Sequence, residues 1–222
     1  MKNEKLEILG RHTSYNVQKV LWFADELGID YTHQQIGGKH GGTNEQSFLE
    51  LNLNGKVPVL IHGQEAIWES NTILRYLAEL IATSTTQTSW YGESAFQRSL
   101  VSRWMDWSIG RLEAEFVGVF WGYYRTPEEN RDLTAIADSI NKYESSLQAL
   151  SLQLAENDFL LGSEISLADV VTGVLIHRLY VLDLKISFPQ NIRHWYERLS
   201  QRKGYIKWVM SDFSELKGRT VY

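Results

Sequence analysis

The sequence predicts two parts of different class, an α/β module followed by an all-helical domain. Three observations carry this. Strand-like and helix-like apolar runs alternate over residues 1–82, a threonine- and serine-rich stretch follows at 83–92, and from 93 to 222 every apolar pattern has helical spacing.

Leu6–Leu9 forms the first strand, followed by the irregular "GRHTSYN". Val17, Val20, Leu21, Ala24 and Leu27 then recur at helical spacing until Gly28 ends the run. Tyr31–Ile36 reads as a strand, "GGKHGGTN" as a loop and "EQSFLELN" as a short helix. Val57–Ile61 and Ala66–Trp68, separated by "HGQE", read as a hairpin. Ser70 is expected to cap a helix that buries Ile73, Leu74, Leu77 and Leu80. The order is βαβαββα, with strands running both ways.

"ATSTTQTSWYGES" has no period and is read as the linker. In the second half Leu133, Ile136, Ile140, Tyr143, Leu147, Leu150 and Leu154 form one stripe on a long helix. "SEISLADVV" holds a capping box, Ser166 with Asp169, and a staple, Ile165 with Val170. Pro189 starts another helix.

Bulk properties exclude several functions. With 222 residues, 43% hydrophobic and 22% charged, the chain can build a sizeable core. A net charge of −5 without a basic block argues against nucleic acid. There is no cysteine, so disulfides, thiolate metal sites and a protein-thiol nucleophile are excluded. The histidines at 12, 33, 40, 62, 177 and 194 show no metal-ligand spacing, and no metal is expected. No segment has the apolar length to span a bilayer, and "MKNEKLEILGRH" lacks the apolar run of a signal peptide. A soluble cytoplasmic protein is expected.

Three stretches each carry a plain reading and a functional one. Pro58 interrupts a strand and lacks an N–H. It is either tolerated at an edge or follows a cis bond that turns the Val57 main chain outward, toward an extended peptide. Glu69 and Ser70 are either a helix cap or an anion site beside a carboxylate, suited to an α-amino acid group. Thr13, Ser14 and Asn16, between a strand and a helix, are either turn residues or hydrogen-bond donors to a thiolate.

Taken in order, "SYNVQKVLWFADELGIDY", "NGKVPVL…WESNTILRYLAEL" and "FLLGSEISLADV" resemble the cytosolic glutathione transferase superfamily across the whole chain. The resemblance implies a thioredoxin-like N-terminal domain and a C-terminal helical bundle. It implies glutathione as co-substrate, a hydrophobic electrophile, a homodimer and a role in detoxification. Position by position, Val57 ahead of a cis Pro58 would hold the cysteinyl backbone. Glu69 and Ser70 would bind the γ-glutamyl ammonium and carboxylate, and Lys56, with Lys39 or His40, would face the glycyl carboxylate. Ser14 matches the catalytic serine of theta and zeta members. Asn16 matches the Ser/Thr-x-Asn pattern of fungal-prion-like and related bacterial members. There is no early tyrosine of the alpha, mu and pi kind, and Tyr15 is one residue out of register with Ser14. Trp107, Arg111, Phe116 and Trp121 are candidates for the electrophile wall, with core packing expected for at least half of them. Thiolate attack on an electrophile is the leading expectation. Peroxide or disulfide reduction with glutathione, and a non-catalytic assembly module, are the alternatives.

Overall fold

The computed structural model describes residues 5–82 and 90–220, so residues 83–89 of the expected linker lie outside the described part. The chain divides into two compact units. Among the described residues, one comprises 5–82 with 203–211, the other 90–202 with 212–220.

In the first unit the strands are β1 (Leu6–Leu9), β2 (Tyr31–Gln34), β3 (Val59–His62) and β4 (Glu65–Trp68). They form one sheet in the order β2-β1-β3-β4, with β1 parallel to β2 and antiparallel to β3. β3 and β4 pair as a hairpin, Val59 opposite Trp68 and His62 opposite Glu65. With α1 (Tyr15–Leu27), α2 (Gln46–Leu51) and α3 (Ser70–Ala82), this is a thioredoxin-like βαβαββα module.

Four strand ends differ from the sequence reading: β3 runs one residue further, to His62, β4 starts one residue earlier, at Glu65, and two ends differ by two residues. β2 stops at Gln34 rather than Ile36, and the loop beyond it contains a 3₁₀ turn at Gly38–His40. β3 begins at Val59, leaving Val57 and Pro58 outside the ladder, with the bond between them cis. Proline has no N–H to give a ladder, so pairing can begin only after it.

Helix α1 ends as the sequence predicts, with Gly28 in the left-handed conformation and its N–H bonded to the carbonyls of Ala24 and Asp25. Its burial departs from a one-faced helix, because every residue from Val17 to Ala24 is buried, Gln18 and Lys19 included. The cause is the returning segment 203–211. The Tyr205 ring meets Trp22 edge-on at 4.8 Å, and Lys207 and Trp208 both donate to Asp25 at 2.9 Å. A Cβ at Gly204 would sit 2.7 Å from the Trp22 ring, so this approach requires glycine. Burial acts to raise the Asp25 carboxyl, but hydrogen bonds from Lys207, Tyr31 and Trp208 outweigh it and hold the group below its usual value.

In the second unit Ser94 starts a helix with a full capping box, its hydroxyl accepting from Gln97 N–H at 3.2 Å. Helical backbone then runs through α4 (Ala95–Trp107), a π segment (Ser108–Leu112), α5 (Glu113–Val119) and a second π segment (Phe120–Arg125). Asp132 caps α6 (Leu133–Gln153), whose stripe buries Ile136, Tyr143, Leu147 and Leu150. Leu133, in the first turn, is 71% exposed. The capping box predicted at Ser166 and Asp169 begins α7 (Leu167–Gly173), and α8 (His177–Val181) and α9 (Gln190–Leu199) follow. Pro189 occupies the cap position before α9 rather than its first turn.

Candidate functional site

The site in the first unit is built on three chain segments. The first is the loop from β1 into α1. Its opening residue, Gly10, has φ +150°, and a Cβ there would meet Val17 at 2.5 Å and Val57 at 3.0 Å. Glycine therefore lets this loop close onto both α1 and the cis peptide. The carbonyl of Gly10 accepts from His33 Nε2 at 2.7 Å, which fixes that ring's tautomer because a carbonyl only accepts. Burial lowers the His33 pKa, while the bond to the Gly10 carbonyl acts in the opposite direction and is outweighed. His12 N–H donates to Gln35 Oε1 at 3.1 Å, so Gln35 Nε2 must donate to His12 Nδ1, 2.9 Å away. The loop is thus tied to β2 and to the residue after it by side chains as well as by the Gly10 N–H.

Ser14 stands at the N-cap position of α1, with extended φ and ψ, yet its hydroxyl makes no capping bond. The plain reading of Ser14 as a cap is therefore not what the structure has, and the hydroxyl makes no hydrogen bond among the described residues. Thr13 is buried and accepts from the Arg11 guanidinium at 3.1 Å, so its oxygen is engaged. Asn16, the second residue of α1, accepts on Oδ1 from Lys19 Nζ at 2.7 Å and from Ser70 Oγ at 3.2 Å.

The second segment carries Lys56, Val57 and Pro58. Val57 packs against the small core of Leu9, Phe48 and Val59, just ahead of β3, which is an internal strand of the sheet. The Lys56 carbonyl accepts from Asn52 Nδ2 at 2.8 Å, which anchors the loop just before the cis bond. The N–H and C=O of Val57 form no hydrogen bond among the described residues. Lys56 is exposed, as are Lys39 and His40 in their 3₁₀ turn.

The third segment is the corner from β4 into α3. Glu69 has φ +70°, the only positive φ of a non-glycine residue among those described. A left-handed residue with a Cβ costs roughly 1–2 kcal/mol, and such outliers gather at functional sites. The Glu69 carbonyl accepts from Ile73 N–H at 2.9 Å, so Glu69 holds the cap position and Ser70 is the first residue of the helix. This corrects the expectation that Ser70 caps α3. Its buried hydroxyl turns to Asn16 instead, while Glu69 presents an exposed carboxylate. A carboxylate beside a helix N-terminus can take an ammonium, and the N-terminal N–H groups can take an anion.

Ser14, Asn16 and Ser70 are thus brought together by α1 and α3, with Val57 across Gly10. The four candidates of the second unit lie in differing surroundings. Trp107 is half-buried and meets Trp104 edge-on at 5.2 Å. Arg111 is exposed, with Nε 3.1 Å from Ser146 Oγ and 3.4 Å from Glu115. Phe116 has no exposed surface and stacks on Phe120 at 5.4 Å. Trp121 is 39% exposed and carries the Arg125 guanidinium 3.8 Å above its ring.

Sequence reasoning passed over Lys19. An apolar pattern assigns a lysine to the solvent face, yet this one is fully buried. The available signal was its spacing, three residues after Asn16 and hence on the same helix face. The left-handed Glu69 had no signal at all, since glutamate carries no preference for that conformation.

A family model described as the glutathione S-transferase N-terminal domain matches residues 13–80, and one described as the C-terminal domain matches residues 134–200. The chain is 32% identical over 211 residues to glutathione S-transferase GstB of Escherichia coli, spanning 94% of this chain and 100% of that one. It is 31% identical to elongation factor 1-gamma 3 of rice over 90% of its own length, but that stretch is 47% of the rice protein. Among solved structures, a theta class glutathione S-transferase of Xanthomonas axonopodis pv. citri with glutathione bound superposes with TM-score 0.87 and 34% identity, over 95% of this chain and 99% of that one.

Proposed function

Because the chain belongs to the glutathione S-transferase family, we propose that it is a glutathione transferase. It binds glutathione on its first unit, ionises the thiol and directs the thiolate at a hydrophobic electrophile. The observation that carries this reading is the bond from Ser70 Oγ to Asn16 Oδ1, 3.2 Å, which joins the corner suited to an α-amino acid group to the loop suited to a thiolate.

In this reading the Val57 main chain pairs with the cysteinyl residue of glutathione, beside the cis Pro58. Glu69 takes the γ-glutamyl ammonium, and Ser70 with the α3 N-terminus takes the carboxylate. Lys56, with Lys39 or His40, faces the glycyl carboxylate. Ser14 Oγ and Asn16 Nδ2 donate to the sulfur. A thiol of pKa ~8.5 must be favoured as thiolate by about 2.7 kcal/mol to fall by about two units. Two hydrogen bonds to a charged acceptor, each worth ~1.5–3 kcal/mol, are of the right size, and the positive end of α1 adds to them. The proton leaves to solvent, and the sulfur lone pair forms the bond to the electrophilic carbon as the leaving group departs with its bonding pair, chloride in the case of a chloronitrobenzene. Serine acts here as donor and never as nucleophile. Trp107, Arg111 and Trp121, which keep exposed surface, form the electrophile wall, with Phe116 supporting it from the core.

The domain division proposed with it is a glutathione-binding domain at 1–82, a linker at 83–92 and a helical domain at 93–222. A cytoplasmic homodimer serving detoxification completes the reading. It is supported by the family; among the described residues no helix is long and apolar enough to cross a membrane. Light scattering tests the dimer. The decisive experiment is retention on immobilised glutathione together with turnover of a chloronitrobenzene, run beside peroxides and glutathionyl disulfides. Binding with turnover of the first substrate is expected. Turnover of the others alone makes the chain a reductase, and neither binding nor turnover leaves an assembly module.

A further inference from the structure

We infer that Lys19 is a positioning residue for the thiol site: its buried ammonium fixes the Asn16 side-chain amide so that Nδ2, and never Oδ1, meets the glutathione sulfur. The inference rests on the proposed transferase reading and adds a residue to it.

The argument starts from which groups can donate. An amide side chain has a donor end and an acceptor end of almost equal size, and only its partners decide which way it turns. Asn16 has two partners. Ser70 Oγ, at 3.2 Å, is a hydroxyl and can either donate or accept, so it tolerates both orientations. Lys19 Nζ, at 2.7 Å, is an ammonium with three protons and no acceptor. It can bond only to Oδ1. With Oδ1 held there, Nδ2 takes the opposite position, where it forms no hydrogen bond among the described residues.

Burial makes the device strict. Lys19 has no exposed surface, and a lysine is almost never fully buried without polar partners. Its bond to Asn16 closes an i, i+3 pair within the first turns of α1, and its ammonium lies 5.7 Å from the Tyr15 ring centroid. In water a flipped Asn amide exchanges one hydrated end for another at little cost. Against a buried ammonium the flip would point N–H at N–H, leaving two donors unsatisfied in a desolvated place.

For the thiol the consequence is one of sign. An Nδ2–H facing sulfur stabilises the thiolate, whereas Oδ1 in the same position would repel it and favour the protonated thiol. Removing the discriminating partner mixes the two orientations, because Ser70 alone cannot choose between them.

The test is a double-mutant cycle on the thiol pKa of bound glutathione, read from thiolate absorbance against pH, with Asn16→Ala, Lys19→Met and the pair. Lys19→Met is expected to raise that pKa by about one unit, a tenfold loss of thiolate at a fixed lower pH. In the Asn16→Ala background the same substitution should raise it no further, because Lys19 acts through the amide. Lys19→Arg, which keeps a donor-only head, should restore the wild-type value. If Lys19→Met does not fold by thermal melting, Lys19→Gln serves in its place, with a smaller rise expected because its amide can present either end. An equal rise with and without Asn16 would make Lys19 a direct charge effect and overturn the inference. So would an unchanged pKa in a variant that merely melts earlier. A wild-type protein that binds no glutathione, or leaves its thiol pKa unchanged, would instead overturn the transferase reading itself.

Discussion

At the scale of single residues, the site is distinguished by side chains that do not do the ordinary job of their position. Ser14 sits where a helix cap belongs and makes no cap bond, so its hydroxyl is not needed to hold α1. Ser14→Ala should therefore leave thermal stability within about 0.5 kcal/mol while raising the thiol pKa of bound glutathione. A melting scan and a thiolate titration check both halves, and an unchanged titration would transfer the whole role to Asn16. Glu69 inverts the logic. Its left-handed backbone costs roughly 1–2 kcal/mol as glutamate, and its carboxylate is exposed. Glu69→Gly removes that cost at the expense of a freer unfolded chain, so the melting temperature should hold or rise. Glutathione affinity by calorimetry should nevertheless fall at least tenfold, since the ammonium loses its counter-charge. A lower melting temperature with intact affinity would return Glu69 to a purely structural cap.

At the scale of elements, the parts governed by short-range chemistry were legible in the sequence. Gly28 ends α1, the stripe of α6 faces inward, and the Ser166–Asp169 box starts α7, because each depends on residues within a few positions. What was not legible depends on distant partners. Ser70 looked like a cap because nothing local announces that its hydroxyl belongs to Asn16, fifty-four positions earlier. The π segments at 108–112 and 120–125 likewise left no mark in the apolar spacing. Asp169 combines both kinds. Locally it is the third helical residue of α7 and closes a capping box, but its carboxylate also collects Leu160 N–H at 2.9 Å and the Trp195 indole N–H at 3.0 Å, besides the N–H and hydroxyl of Ser166. Burial pushes its pKa up while those four donors pull it down, and burial prevails. Asp169→Ala would strand buried N–H groups on three chain segments, each costing ~1–3 kcal/mol. A loss of roughly 3–5 kcal/mol in denaturant unfolding is expected, with glutathione affinity per folded molecule unchanged. A loss below about 1 kcal/mol would mean that water replaces the carboxylate.

At the scale of the whole molecule, one stretch of the second half groups with the first unit. Residues 203–211 return to the first unit, and no linear pattern could predict it, since what holds them there is a tyrosine that meets Trp22 and two side chains that meet Asp25. Both units are nonetheless expected to weaken in acid, for related reasons. In the first, Asp25 is held below its usual value by its hydrogen bonds, so its contribution is present above the unfolded carboxylate range and lost as pH falls through the folded value. In the second, burial first, then the Arg178 charge beside it, pushes the His177 imidazole down to about 4, while its Nδ1 lies 2.9 Å from the Tyr196 hydroxyl. An unfolded imidazole titrates at ~6.5. Between those values the unfolded chain binds a proton that the native state refuses, so stability falls as the pH drops through this window. By pH 4 the loss from this one ring is about 3 kcal/mol. Denaturant unfolding at a series of pH values should show that slope. His177→Asn, which cannot ionise but can still reach a hydroxyl, should flatten it between ~6.5 and ~4 even if it lowers stability at neutral pH. An identical slope in wild type and variant would mean that His177 takes up its proton equally in both states, and the acid sensitivity would then rest on Asp25 and the other carboxylates.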